Sequence, residues 1–114
     1  MPIYTIYKQQ SQKLIKWLGK KMKTRYLIEG WKWFDSPNGN TYHSVRVSDL
    51  SNDKVVVKKI FVYGYGNQWE QTGYDLLIKE NLVKEEDRFN HELNRKRFKY
   101  IDYGYGLKRD IKNI

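Results

Sequence analysis

The chain contains no cysteine, which excludes disulfides, thiolate metal sites and cysteine nucleophiles. No apolar run approaches the roughly 18 residues needed to span a bilayer, and the N-terminus lacks the charged-then-apolar order of a signal peptide. The expectation is a soluble cytoplasmic protein with no membrane partner. Histidine, aspartate and glutamate nowhere cluster at metal-ligand spacing, and no spacing demands a catalytic constellation. Neither a metal, a cofactor nor an enzymatic activity is expected. Acidic side chains are missing from residues 1–23, which hold six lysines.

What is present is ring-rich and basic. The 114 residues carry 4 Trp, 10 Tyr and 4 Phe. A single domain of this size cannot hide that many rings, so some lie at the surface, where they favour partner contacts or base stacking. The formal net charge of +9 is unevenly placed: residues 24–83 hold seven basic and seven acidic side chains, residues 84–114 nine and six. A neutral centre between two basic ends points to an anionic partner, nucleic acid first. The expected organisation is a basic N-terminal arm or helix (1–23), an α+β core (24–83) and a C-terminal helix with a basic tail (84–114), together one compact domain.

Residues 3–7 read as a short strand, and Ser11 to Met22 as a basic amphipathic helix with Leu14, Ile15, Leu18 and Met22 on one stripe. Residues 24–34 read as a strand that ends in the turn Asp35-Ser36-Pro37-Asn38-Gly39-Asn40. A second strand, Thr41 to Asp49, alternates, with His43, Val45 and Val47 on a dry face and Tyr42, Ser44, Arg46 and Ser48 on a wet one. A third, Lys54 to Tyr63, is apolar on both faces and is expected to be the most protected. Asn67 followed by Glu70 has the spacing of a capping box, opening a helix that covers the sheet with Trp69, Gly73, Leu76 and Leu77. A last helix is expected from Lys84 to Phe98. The predicted fold is therefore α+β: a three-stranded antiparallel meander packed with a following helix, flanked by basic N- and C-terminal helices. The tail Tyr103-Gly104-Tyr105-Gly106 echoes Tyr63-Gly64-Tyr65-Gly66, too briefly to count as a repeat. An uncapped edge strand leaves open a monomer or a homodimer.

Binding residues are expected in three clusters: Lys13, Lys16, Lys20, Lys21 and Lys23; Lys58 and Lys59; and Arg95, Lys96, Arg97 and Lys99. Rings at Trp17, Tyr26, Phe98 and Tyr100 are interleaved with them. A small-ligand site around His43 and the Gly64–Gly66 turn is an alternative, since backbone N–H groups at a helix start can cradle an anion. The turn lacks the Lys-Ser/Thr of a P-loop, however, and Glu70 brings negative charge there. His43, beside Val45 and Val47, reads as a structural imidazole.

The order helix, strand, strand, strand, helix resembles that of the double-stranded RNA-binding domain. Where that family places lysines to grip phosphates, this chain has Gly66-Asn67-Gln68-Trp69-Glu70-Gln71. A more specific resemblance lies in Trp33-Phe34-Asp35, in Gly39-Asn40-Thr41-Tyr42-His43-Ser44-Val45 and in Tyr63-Gly64-Tyr65-Gly66-Asn67-Gln68-Trp69-Glu70-Gln71-Thr72. Over residues 24–83 these are similar to a group of small uncharacterised bacteriophage and prophage proteins. The resemblance implies a phage or mobile-element accessory protein working in the host cytoplasm. It would inhibit a host defence or nucleic-acid-processing complex in an anti-CRISPR-like way, by binding a host protein or nucleoprotein surface. The alternative is direct DNA or RNA binding.

Overall fold

The computed structural model describes residues 24–114. Strands β1 (Tyr26–Asp35), β2 (Asn40–Asp49) and β3 (Lys54–Tyr63) are followed by helix α1 (Gln68–Lys79), a 3-10 turn (Glu85–Asp87), helix α2 (His91–Arg97), strand β4 (Phe98–Tyr105) and the short helix α3 (Lys108–Lys112). The expected strand over 3–7 and helix over 11–22 lie outside the described residues.

The fold is α+β, but its sheet has four strands in the order β3-β2-β1-β4. β1 pairs antiparallel with β2 and β2 with β3, while β4 lies parallel to β1, from Tyr26 opposite Phe98 to Lys32 opposite Tyr105. The long helix expected over 84–98 is thus corrected to a single 3-10 turn, a seven-residue helix and a new strand. Local chemistry explains the break. The acidic run Glu85–Asp87 forms one turn, and Asn90 then starts a fresh helix by accepting the Leu93 N–H (3.1 Å). From Phe98 the aromatic and β-branched side chains favour the extended backbone that β1 can pair.

Trp69, Thr72, Gly73, Tyr74 and Leu77 form the buried stripe of α1. Two glycines let the helix come close. A Cβ on Gly30 would stand 2.3 Å from Cδ2 of Trp69, and one on Gly73 would stand 2.8 Å from Cγ2 of Ile28. The core beneath the helix joins Tyr26, Ile28, Val45, Val47, Tyr74, Val83 and Phe98.

On the other face Ser44, Arg46 and Ser48, expected to meet water, are instead buried. Ser44 and Arg46 find polar partners there. Ser44 donates to the Ile111 carbonyl of α3 and accepts the Phe61 N–H (3.0 Å). The Arg46 guanidinium meets both oxygens of the fully buried Glu29 at 3.2 and 3.4 Å, and Tyr103 donates to Glu29 at 2.6 Å. Buried charge is tolerated because it is paired and hydrogen-bonded.

β3, expected to be the most protected strand, is an edge, with Val55 50 % and Ile60 44 % exposed. Its pairing with β2 shifts register twice, and Phe61 sits at φ 59°. Its two-sided apolar pattern therefore reflects a bulged edge, not a central strand. The capping box is also corrected. Asn67 has φ −94° and ψ 17° and makes no side-chain cap bond, because a side-chain cap needs extended backbone at that position.

Candidate functional site

The short α2 runs directly into β4, and this junction stands across from the first turn of α1. Between them lies a cleft of about 770 Å³, walled by Glu70 and Gln71 on one side and by Arg88, Phe89, His91, Asn94 and Arg95 on the other, with Phe98, Lys99 and Tyr100 along its base. Arg88 fixes the width. Its guanidinium binds Glu85 (2.7 and 2.8 Å), Gln71 Oε1 (2.9 Å) and Asp75, and lies 4.9 Å from the Tyr74 ring centroid. Phe89, beside this clamp, is 73 % exposed at the mouth.

The cluster Arg95, Lys96, Arg97 and Lys99 divides into different roles. Arg97 turns inward, donating to Asn94 Oδ1 (2.9 Å) and the Tyr74 hydroxyl (3.1 Å) and lying over the Phe98 ring. Lys96 pairs with Glu92 on the outer surface. Arg95 lines the cleft and forms no ion pair with any described residue, whereas Lys99, opposite Leu27 in the β1–β4 pairing, directs its side chain to the sheet face away from α1 and borders the cleft only at the strand. Of the interleaved rings, Tyr26 and Phe98 are buried and unable to stack on a base, whereas Tyr100 is 37 % exposed.

The cleft is electrically polarised. Burial, reinforced by the nearby Asp102 charge, raises the Glu70 carboxyl above its usual range. Burial and then Glu70 itself raise the Tyr100 phenol. Asp102 is held in turn by Lys32 at 3.1 Å. β4 runs from Phe98 through Tyr100 toward Asp102, so Glu70 sits toward the far end and Arg95, which precedes the strand, at the near end.

Lys58 and Lys59 do not join this site, because β3 and β4 are opposite edges of the sheet. Lys58 donates to the Ile114 carbonyl (3.0 Å), and Lys59 is exposed. Trp17 and the lysines at 13, 16, 20, 21 and 23 lie outside the described residues. Trp33 and Tyr42 belong to a ring cluster with Phe61 on the α3 side, where Lys108 lies 5.3 Å from the Trp33 centroid and Lys112 5.0 Å from that of Phe61. Gly39 closes the first turn by donating to the Asp35 carbonyl (2.7 Å), and Asn40 opens β2 opposite Asp35.

His43 is enclosed between β2, the Gly64 turn and α1. Burial, aided by the Lys59 charge, lowers its pKa below the ordinary value. The neutral ring donates from Nδ1 to the Gly64 carbonyl (3.1 Å) and accepts at Nε2 from the Thr72 hydroxyl (2.8 Å). The Gly64–Gly66 turn lines a shallower depression that shares Glu70 and Gln71 with the cleft, and His43 does not line it. Among the described residues no three His, Asp or Glu side chains gather as a metal-binding group.

No family model, curated protein or solved structure matches this chain. The sequence gives Gln71 and Asn94 no binding role and shows Phe89 only as part, with Leu93, of a narrow apolar edge on the expected last helix, one that docks loosely or meets a partner. Phe89 carried one usable signal: a phenylalanine between Arg88 and Asn90, in a stretch with few other apolar residues to pack it.

Proposed function

We propose that the protein is a non-enzymatic accessory protein that binds nucleic acid through the cleft at the β4 edge. One observation carries this reading: a cation without an acidic partner among the described residues, Arg95, flanks a cleft with an exposed phenylalanine at its mouth. Cations bind phosphate and rings stack on bases, and the two together are the usual equipment of nucleic-acid surfaces. The net charge of +9 adds long-range attraction. In a host cell, occupying such a strand or the complex that handles it would block a defence or nucleic-acid-processing machine.

The test is a titration of the full chain into labelled oligonucleotides between about 50 and 200 mM salt. Affinity is expected to fall linearly with salt on logarithmic axes, by a slope of roughly 0.7–0.9 for each phosphate engaged. Salt-insensitive binding, or none, contradicts the proposal.

A second reading, a host-protein partner, is favoured by the end of the sheet where β1, β3 and β4 all finish. Phe34, Tyr63, Tyr65, Tyr105 and Leu107 are between 48 and 75 % exposed there. Exposed rings in such a group suit a protein contact. Capture of one host protein after nuclease treatment, abolished on replacing Tyr65 and Tyr105 by serine, is the expected signature.

A further inference from the structure

We infer that the cleft takes single-stranded nucleic acid, holding one unstacked base against Phe89 and Tyr100 and the adjoining phosphate at Arg95. The inference rests on the nucleic-acid reading above and narrows it to one strand form.

The first reason is shape. A cleft of about 770 Å³ lies within the roughly 300–1,000 Å³ of sites that enclose a small molecule. It suits a nucleotide unit, whereas a duplex meets a protein across a wide convex surface.

The second reason is the exposed ring. Phe89 is 73 % exposed, while Arg88 beside it is clamped to α1 through Gln71 and Asp75. The ring is thus presented from a fixed corner and not from a free loop. In a duplex every base face is already stacked, and such a ring would meet only sugar and phosphate. In a single strand the base face is open, and each base–aromatic stack contributes appreciably regardless of sequence.

The third reason is the polarity of the cleft. Arg95 attracts phosphate at one end. Glu70, with Asp102 close behind it, opposes phosphate at the other. A second backbone crossing the cleft would be repelled, but a base edge would not. Exocyclic amines of adenine, cytosine and guanine can donate to a carboxylate, and the Gln71 and Asn94 amides can both donate and accept. One nucleotide, phosphate toward Arg95 and base toward Glu70, matches this charge order.

The experiment measures anisotropy of the full chain with a labelled 12-nucleotide single strand, as DNA and as RNA, and with the matching duplexes. Wild type is compared with Phe89→Ala and Phe89→Trp. Phe89 is exposed, so neither substitution threatens the fold, and thermal melting of each variant verifies this. The expected result is tighter binding of single strands than of duplexes. Phe89→Ala should weaken single-strand binding about five- to a hundredfold, the range of one base–aromatic stack. It should leave duplex binding unchanged, and Phe89→Trp should restore the affinity. Equal affinity for duplex and single strand, or single-strand binding indifferent to Phe89→Ala, overturns the inference. In that case salt-dependent binding to either form leaves the broader nucleic-acid reading standing. Binding to neither form overturns both.

Discussion

The two edge strands invite comparison. β3 and β4 both run parallel to β1, both carry lysines, and both end on Tyr-Gly-Tyr-Gly before the chain turns into a helix. The helices then pack on opposite faces, α1 over Ile28 and Val45 and α3 against Ser44. Beyond β3 the surface is open and bulged, with Lys58 and Lys59 standing on it. Beside β4 the α2 junction and the first turn of α1 enclose a cleft that gathers Arg95 and an exposed ring. A shared Tyr-Gly-Tyr-Gly turn leads to dissimilar sites, and enclosure makes the difference, not charge.

Substitutions can break or sharpen this contrast. Phe98 is 4 % exposed and packs with Tyr26, Tyr74 and Tyr100. Phe98→Ala at the β4 edge should cost about 3–5 kcal/mol in denaturant unfolding; a cost below about 1 kcal/mol would mean the cleft floor is not part of the core.

The glycines of the two echoes come next. A Cβ on Gly64 would lie 2.6 Å from Cγ of Gln68 and 2.9 Å from Cε1 of His43, at φ 154°. Gly104, at φ 76°, faces open space. Gly64→Ala should cost about 2–4 kcal/mol and Gly104→Ala about 1–2 kcal/mol. Equal costs would show that backbone conformation alone governs both turns.

His43 gives the β3 side its own pH signature. Its pKa is lowered in the folded protein, so the unfolded chain takes up its proton first. Stability from this residue is fully present above the unfolded value near 6.5 and is lost as pH falls below it. The slope has a ceiling of about 1.4 kcal/mol per pH unit. Unfolding titrations of wild type and His43→Gln between about pH 7.5 and 5.5 should differ by that component. Parallel profiles would remove His43 as the cause. The smallest effect is expected at Ile60, 44 % exposed on β3. Ile60→Lys should change stability by no more than about 0.5 kcal/mol, and a larger drop would show that this edge is covered.

The parts of the fold legible in the sequence were those set by local chemistry. The Pro37-Asn38-Gly39 turn, the alternation of β2 and the stripe of α1 mark elements that the structure places at nearly the same residues. β4 was not legible, because its strand character depends on pairing with β1, seventy-two residues earlier at Tyr26 and Phe98. Before that pairing is known, Arg95, Lys96 and Arg97 look like the end of one long helix. The wet face of β2 was misjudged for a related reason. Arg46 looks solvent-facing until Glu29 and Tyr103, both distant in sequence, are brought together with its guanidinium. Charge clusters were visible as runs, but their division into Arg97 inside, Lys96 outside and Arg95 in the cleft is set by helical phase and tertiary packing.

The most direct test of the account compares the two edges in one measurement: the salt slope of nucleic-acid affinity for the full chain, for Arg95→Glu and for Lys59→Glu. The N-terminal lysines are common to all three proteins. The account predicts that Arg95→Glu lowers the slope by about 0.7–0.9, the share of one phosphate no longer engaged, and that Lys59→Glu leaves it nearly unchanged. Equal reductions at both edges, or a larger one at β3, would contradict it.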